Sequence, residues 1–343
     1  MSKFYDEMRQ QSEVLQKLLD CYHDDYRPVV ELTDIIKERN LSEFVFIGMG
    51  SSYFVGYIAC AILNKNGIKA KAYEAKEFSS YAIHTIQDDT LIFLISQSGD
   101  SEEVLELSKK FPTDHNIITV TNNNDRPLYH RGEIKFLLYA GEELATATKS
   151  YTNTVAAILK IANVISACFG KETFDFDKLV RASISEMKSI LEEDSSVIVD
   201  LFKDAEYICL VGGGASYCTA SHLELVVEEA GKMYATRYLP AQFLHGPVEL
   251  INKGFNVIAS DFSENYRVEI DRIIDNVLTF GGKICVLTNR DITISNPNFL
   301  SVKLNIDNEF YAPLLEVIPI ELFIYKLGVQ RGINPGHIVR VKK

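Results

Sequence analysis

Leu91-Ile92-Phe93-Leu94-Ile95-Ser96-Gln97-Ser98-Gly99-Asp100-Ser101-Glu102-Glu103 joins an apolar run of five to a hydroxyl-rich turn and then to acidic residues. A run this short suits a strand covered on both faces, as in a parallel sheet. Ser98, Gly99, Asp100 and Ser101 supply the small and capping residues that open a helix. At such an opening several backbone N–H groups lack partners and the helix dipole is positive, so the turn suits an anion. The hydroxyls of Ser96, Ser98 and Ser101 and the amide of Gln97 add donors that fit phosphate oxygens. An ordinary strand-to-helix turn has the same local pattern, and the rest of the chain has to decide between the two.

Upstream of this stretch, apolar spacing predicts a helix over 5–22 and a shorter one over 29–39. A strand at Phe44-Val45-Phe46-Ile47 follows and ends on Gly48-Met49-Gly50-Ser51-Ser52-Tyr53, with a helix over 54–63 and a strand over 69–73. Downstream lie a strand over 116–120 and a long helix over 148–167. Strands alternating with helices imply right-handed crossovers and a parallel sheet.

The order then repeats. Gly48-x-Gly-Ser-Ser-Tyr53 recurs as Gly212-x-Gly-Ala-Ser-Tyr217 at an offset of 164, Tyr73 to Phe78 recurs as Tyr238 to Phe243 at 165, and Val120-Thr121-Asn122 recurs as Leu287-Thr288-Asn289 at 167. Matches in the same order at a nearly constant offset indicate an internal duplication of one α/β unit, with a boundary in 170–177. The expected domains are therefore 1–173, with the N-terminal helices, and 174–343, with the C-terminal tail. In the second copy Ile258-Ala259-Ser260-Asp261-Phe262-Ser263-Glu264 replaces the serine loop. It lacks Ser-x-Ser-Gly and carries two acids, so only the first copy is expected to hold phosphate.

Several classes are set aside by composition and spacing. The chain has 343 residues, 47% of them hydrophobic and 24% charged, which is ordinary for a globular protein large enough for two domains. A net charge of −12 disfavours broad binding to a nucleic-acid backbone. Six scattered cysteines show neither a CxxC pair nor zinc spacing, and the seven histidines form no His-x-x-x-His pair, so no metal is expected. Reduced thiols and a polar, acidic start with no signal peptide point to the cytoplasm. The most apolar long segment, 154–169, is too short to span a bilayer and is interrupted by Lys160 and Asn163, so no membrane role is expected. A dinucleotide fingerprint fails because Tyr53 and Tyr217 stand where the third glycine belongs, and no Walker Gly-Lys-[Ser/Thr] occurs.

Reactive side chains are densest over 224–249. Glu228 and Glu229 fall on the helix after the Gly212 turn, and His245 lies on a Gly-Pro turn. A glutamate and a histidine at the end of a parallel sheet can divide acid and base work. A surface glutamate and a loop histidine of no function would read the same way.

Taken together, Gly48-Met-Gly-Ser-Ser-Tyr53, Glu77-Phe78, Ser96-Gln-Ser-Gly-Asp-Ser101, Thr148-Lys149, Glu229 with His245-Gly-Pro247 sixteen residues on, and Arg331-Gly-Ile-Asn-Pro-Gly336 resemble the double sugar isomerase (SIS) domain proteins. The likeness extends over nearly the whole chain, to the isomerase half of glucosamine-6-phosphate synthase and to the fructosamine 6-phosphate deglycases. It implies two doubly wound, flavodoxin-like parallel-sheet subdomains related by duplication, and no cofactor. It also implies that Ser52, Ser96, Gln97, Ser98 and Ser101 hold a sugar phosphate, with Gly50, the backbone at Ala145 and a tail lysine, Lys343 or Lys342, lining the site. Glu229 would move a proton between C1 and C2, and His245 would assist ring opening from the neighbouring subunit of a homodimer that shares its active sites.

The resemblance is incomplete. The synthase has a lysine three residues before its glutamate, where this chain has Val226, and Ser2 stands in place of the cysteine nucleophile of a glutaminase domain. Glutamine-dependent amination is therefore not expected as an autonomous activity. The expected enzyme is a phosphosugar isomerase, a deglycase or an aminosugar-phosphate deaminase. The alternatives are a sensor that binds a phosphosugar unchanged and an interaction protein without a ligand.

Overall fold

The computed structural model describes residues 2–112, 116–192 and 196–338. Among them are ten strands in two sheets. The first contains β1 (Glu43–Gly48), β2 (Lys69–Glu74), β3 (Thr90–Ile95), β4 (Ile117–Thr121) and β5 (Ile134–Leu137), in the order β2-β1-β3-β4-β5. The second contains β6 (Tyr207–Val211), β7 (Tyr234–Tyr238), β8 (Asn256–Asp261), β9 (Lys283–Thr288) and β10 (Phe299–Lys303), in the order β7-β6-β8-β9-β10. All pairings are parallel, and the two orders are the same order used twice. The duplication read from the sequence is thus a duplication of topology. Gly48 and Gly212 hold the same place in each copy, where any Cβ would overlap the backbone of Ser52 or Ser216 at the start of the next helix.

Contacts divide the chain into two compact units. One holds the described parts of 11–143 and 149–184 with the first sheet, the other those of 1–10, 144–148 and 185–343 with the second. In the first, β1 and β3 are buried along their whole length, and their side chains alternate between two apolar layers. Val45, Ile47, Ile92 and Leu94 face Phe78, Val104, Leu107 and Leu128. Phe46 and Phe93, paired across β1 and β3, stack with ring centroids 4.6 Å apart.

The helix expected over 148–167 is Lys149–Cys168, and it is core. Its polar interruptions are paired. Asn153 donates to the carbonyls of Val14 and Leu138 at 2.9 and 2.7 Å, Lys160 meets Asp24 at 2.8 Å, and the Asn163 amide holds both the N–H and the carbonyl of Phe174. The helix expected over 5–22 is two, Lys3–Arg9 and Gln11–Cys21, which fall in different units.

In the second unit Cys209, Val211, Val257, Ala259, Ile284 and Val286 face Ile270, Ile273, Ile274 and Val277 of the helix Arg267–Thr279. Helices Ser216–Glu229 and Pro313–Gln330 pack on each other and bury most of their lengths. Among the described residues no helix is long and apolar enough to cross a membrane.

Candidate functional site

In a sheet of order 2-1-3-4-5 the connections after β1 and β3 leave toward opposite faces, which opens a crevice at the C-terminal ends of these two strands. In the first unit the residues there are Met49 to Ser52 after β1 and Ser96 to Ser101 after β3.

The serine loop is internally braced. Ser96 Oγ lies 2.9 Å from Ser101 Oγ and 3.5 Å from Ser98 Oγ, and it accepts from the Gly99 N–H at 3.2 Å. Ser98 Oγ accepts from the Asp100 N–H at 3.2 Å. Three of the five residues predicted to hold the phosphate, Ser96, Ser98 and Ser101, are therefore gathered at one point. Ser96 is 2% exposed, while Gln97 and Ser98 are half-buried.

Support for this loop comes from residues after β4 that the sequence reading did not assign to the site. The Asn122 N–H donates to the Gln97 carbonyl at 3.1 Å, Asn123 Nδ2 to the Ser98 carbonyl at 3.1 Å, and the Leu128 N–H to the Gly99 carbonyl at 3.2 Å. With these carbonyls taken, an anion approaching the loop meets hydroxyls and N–H dipoles. At the rim Arg126 pairs with Asp100 at 3.0 Å, a half-exposed ion pair worth little to stability. The signal for this support was the repeated Thr-Asn pair, because Asn122 braces Gly141 and Ala140 as Asn289 braces Ile306.

Gly50 and Ser52 lie beside the loop, at the end of β1. Gly50 (φ 50°) turns the chain into the short helix Ser51–Phe54, and Ser52 donates its N–H to the Met49 carbonyl at 3.0 Å.

The remaining candidates belong to the other unit. Glu229 is the last residue of the helix Ser216–Glu229 and is exposed. His245 caps the helix Pro240–Leu244, donating its N–H to the Gln242 carbonyl at 3.1 Å, and its side chain is exposed. Ala145 is 6% exposed and its N–H is held by Glu7. Lys342 and Lys343 lie outside the described residues.

The equivalent crevice in the second copy is filled. The Tyr266 ring lies against Gly213, and the Glu309 carboxylate and Ser263 stand over Gly214. Beneath them Asp261 holds Arg290 at 2.6 Å and Thr288 at 2.9 Å. Burial pushes the Asp261 carboxyl up, with Arg290 acting against it. Glu316, fully buried, accepts from Ser216, and its carboxyl is pushed up to about 7 by burial, with the Ser216, Thr219 and Ser260 hydroxyls opposing. Burial takes His222 down to about 3, so its ring is neutral at working pH.

No three His, Cys, Asp or Glu side chains among the described residues cluster as a metal site. A cavity of about 1000 Å³ lined by Arg39, Asn116, Arg131 and Glu133 opens at the N-terminal ends of the first sheet, away from the crevice. Its Arg39 is already held by Glu133 and Asn116.

The family model for the SIS domain matches residues 37–163 and 201–329. The chain is 27% identical over 338 residues to the glutamine–fructose-6-phosphate aminotransferase [isomerizing] of Geobacillus kaustophilus, covering 96% of this chain and 55% of that protein. It thus spans about half the length of the curated relatives it matches. Among solved structures it is similar to the C-terminal domain of glucosamine-fructose-6-phosphate aminotransferase from Francisella tularensis, with TM-score 0.82, 22% identity and coverage of 97% and 96% of the two chains. It is also similar to glucosamine-6-phosphate deaminase from Thermotoga maritima, with TM-score 0.74, 20% identity and coverage of 99% and 98%. These two likenesses are of fold.

Proposed function

The chain belongs to the SIS domain family, and on that premise we propose that it moves a proton between C1 and C2 of a 6-phosphorylated sugar or amino sugar. The observation that carries this reading is the loop after β3, where serine hydroxyls converge and the carbonyls are tied back by the next loop. A phosphate dianion is the common small ligand that such a cradle suits without a basic residue. The names of two of the similar proteins, an aminotransferase of fructose 6-phosphate and a glucosamine-6-phosphate deaminase, support a 6-phosphorylated hexose.

In this reading Ser52, Ser96, Gln97, Ser98 and Ser101 hold the phosphate, and backbone at Gly50 and Ala145 borders the sugar. His245, reaching in from the neighbouring subunit of a homodimer, assists ring opening. The carbonyl so released acidifies the adjacent C–H, and Glu229 removes that proton to form an enediol or enediolamine and returns it to the other carbon. Nothing else is consumed in isomerisation. With an amine on C1, proton return to C2 leaves a C1 imine, and water then yields the aldose phosphate and the free amine, which is deglycase chemistry. With an amine on C2, the same shift and hydrolysis release ammonia.

Turnover assays with fructose 6-phosphate, glucosamine 6-phosphate and fructoselysine 6-phosphate test the reading and separate its branches. Conversion of one of them, lost in Glu229→Gln, supports catalysis. Saturable binding of all with conversion of none assigns the chain to the sensors instead.

A further inference from the structure

Glu7 occupies a core position. The helix Lys3–Arg9 buries Phe4, Glu7 and Met8, the spacing of one helical face, and Glu7 is only 7% exposed. A carboxylate placed there is costly unless it is fully hydrogen-bonded. It is met by two successive backbone donors, the Leu144 N–H at 2.7 Å on one oxygen and the Ala145 N–H at 3.1 Å on the other. The same point receives the C-terminal tail. Gly336 (φ 77°) lies so close that a Cβ there would overlap Phe4 and press on Ala145. The helix is anchored independently by Tyr5, stacked on Tyr325 with ring centroids 4.4 Å apart.

We propose that Glu7 is a positioning residue for sugar binding, acting through the peptide planes at Leu144 and Ala145. The proposal rests on the reading in which backbone at Ala145 borders the sugar. In a trans peptide the carbonyl points opposite to the N–H. By fixing the Ala145 N–H, Glu7 aims the Leu144 carbonyl to the other side of the strand of chain, as an oriented acceptor for a sugar hydroxyl or amine. Glu7 touches no substrate itself, and its contribution is pre-organisation of that acceptor.

The test compares the full-length wild type with Glu7→Ala, Glu7→Gln and Tyr5→Ala, the last weakening the docking of the same helix without touching Leu144 or Ala145. Steady-state kinetics on the sugar phosphate that the wild type converts are read beside melting temperatures. Glu7→Ala is expected to lose at least about tenfold in kcat/KM, mostly through KM, and Glu7→Gln, which keeps one acceptor oxygen, to lose less. Tyr5→Ala is expected to lower the melting temperature while keeping kcat/KM within about twofold. Glu7→Ala losing no more kcat/KM than Tyr5→Ala overturns the proposal and leaves the proposed function standing. A wild type that converts no phosphosugar overturns the proposed function, and the role of Glu7 in it. Amide exchange of the peptide over 144–148 is read separately. It should quicken in Glu7→Ala and not in Tyr5→Ala, and unchanged protection in Glu7→Ala would refute the positioning contact whatever the turnover.

Discussion

Ser96 Oγ and Ser101 Oγ, five residues apart in sequence, face each other at 2.9 Å across the loop that leaves β3. Either hydroxyl can donate in this contact, and under the proposed function a phosphate entering there would replace the serine–serine bond with charge-assisted ones. Loss of a hydrogen bond to a charged group costs about 1.5–3 kcal/mol, or roughly 10- to 100-fold in affinity. Ser96→Ala and Ser98→Ala should each raise KM for the sugar phosphate by about that factor and remove most of the ligand-induced rise in melting temperature. A ligand-free interaction protein predicts no such rise in the wild type either.

The proposed function gives Glu229 the proton transfer itself. A general base contributes about 10²- to 10⁴-fold, so Glu229→Gln should lower kcat by at least about 10²-fold. The phosphate-dependent melting shift should persist, since the serines are untouched. Wild-type turnover in this variant would remove Glu229 from the mechanism.

The proposed homodimer with shared sites makes a mixing prediction. If His245 serves the neighbouring subunit, Glu229→Gln and His245→Ala chains are each inactive alone, but a mixed dimer holds one intact site. Random reassortment then restores about a quarter of wild-type activity, because half the dimers are mixed and one of their two sites works. If His245 serves its own subunit instead, every mixed dimer carries one defect per site and activity stays at the level of the parents.

Glu316 predicts a pH dependence of stability. Its folded value, about 7, lies above its ordinary 4.5, so between these values the folded chain holds a proton that the unfolded chain has released. Stability from this group is therefore greatest at low pH and falls as pH rises through the window, by up to about 3 kcal/mol. Glu316→Gln cannot titrate. Denaturation at pH 5 and pH 8 should find this variant gaining on the wild type at the higher pH, and a stability difference independent of pH would contradict the burial argument.

Much of this arrangement was legible because local and tertiary demands coincide. Buried on both faces, β3 had to be apolar throughout, and the turn after it had to be small and polar, so strand and loop could be read together. The edge strands β5 and β10 escaped the reading. Ile134-Lys135-Phe136-Leu137 is short and half-covered, and Phe299–Lys303 is only partly buried, so neither carries the run that marks a central strand. The break at Gln10 was equally silent, since its backbone stays near helical values and the apolar spacing continues across it. Glu7 could not be read at all. Its partners stand 137 and 138 residues away, and alone in sequence it is an acid in an apolar stripe.

Proton transfer between C1 and C2 is followed atom by atom in proton NMR in heavy water, with the three sugar phosphates supplied separately. Deuterium should enter C1 or C2 of at least one of them with wild type and not with Glu229→Gln, and the product should reveal isomerisation or amine release. Binding of all three with no exchange into any would contradict the proposed proton transfer.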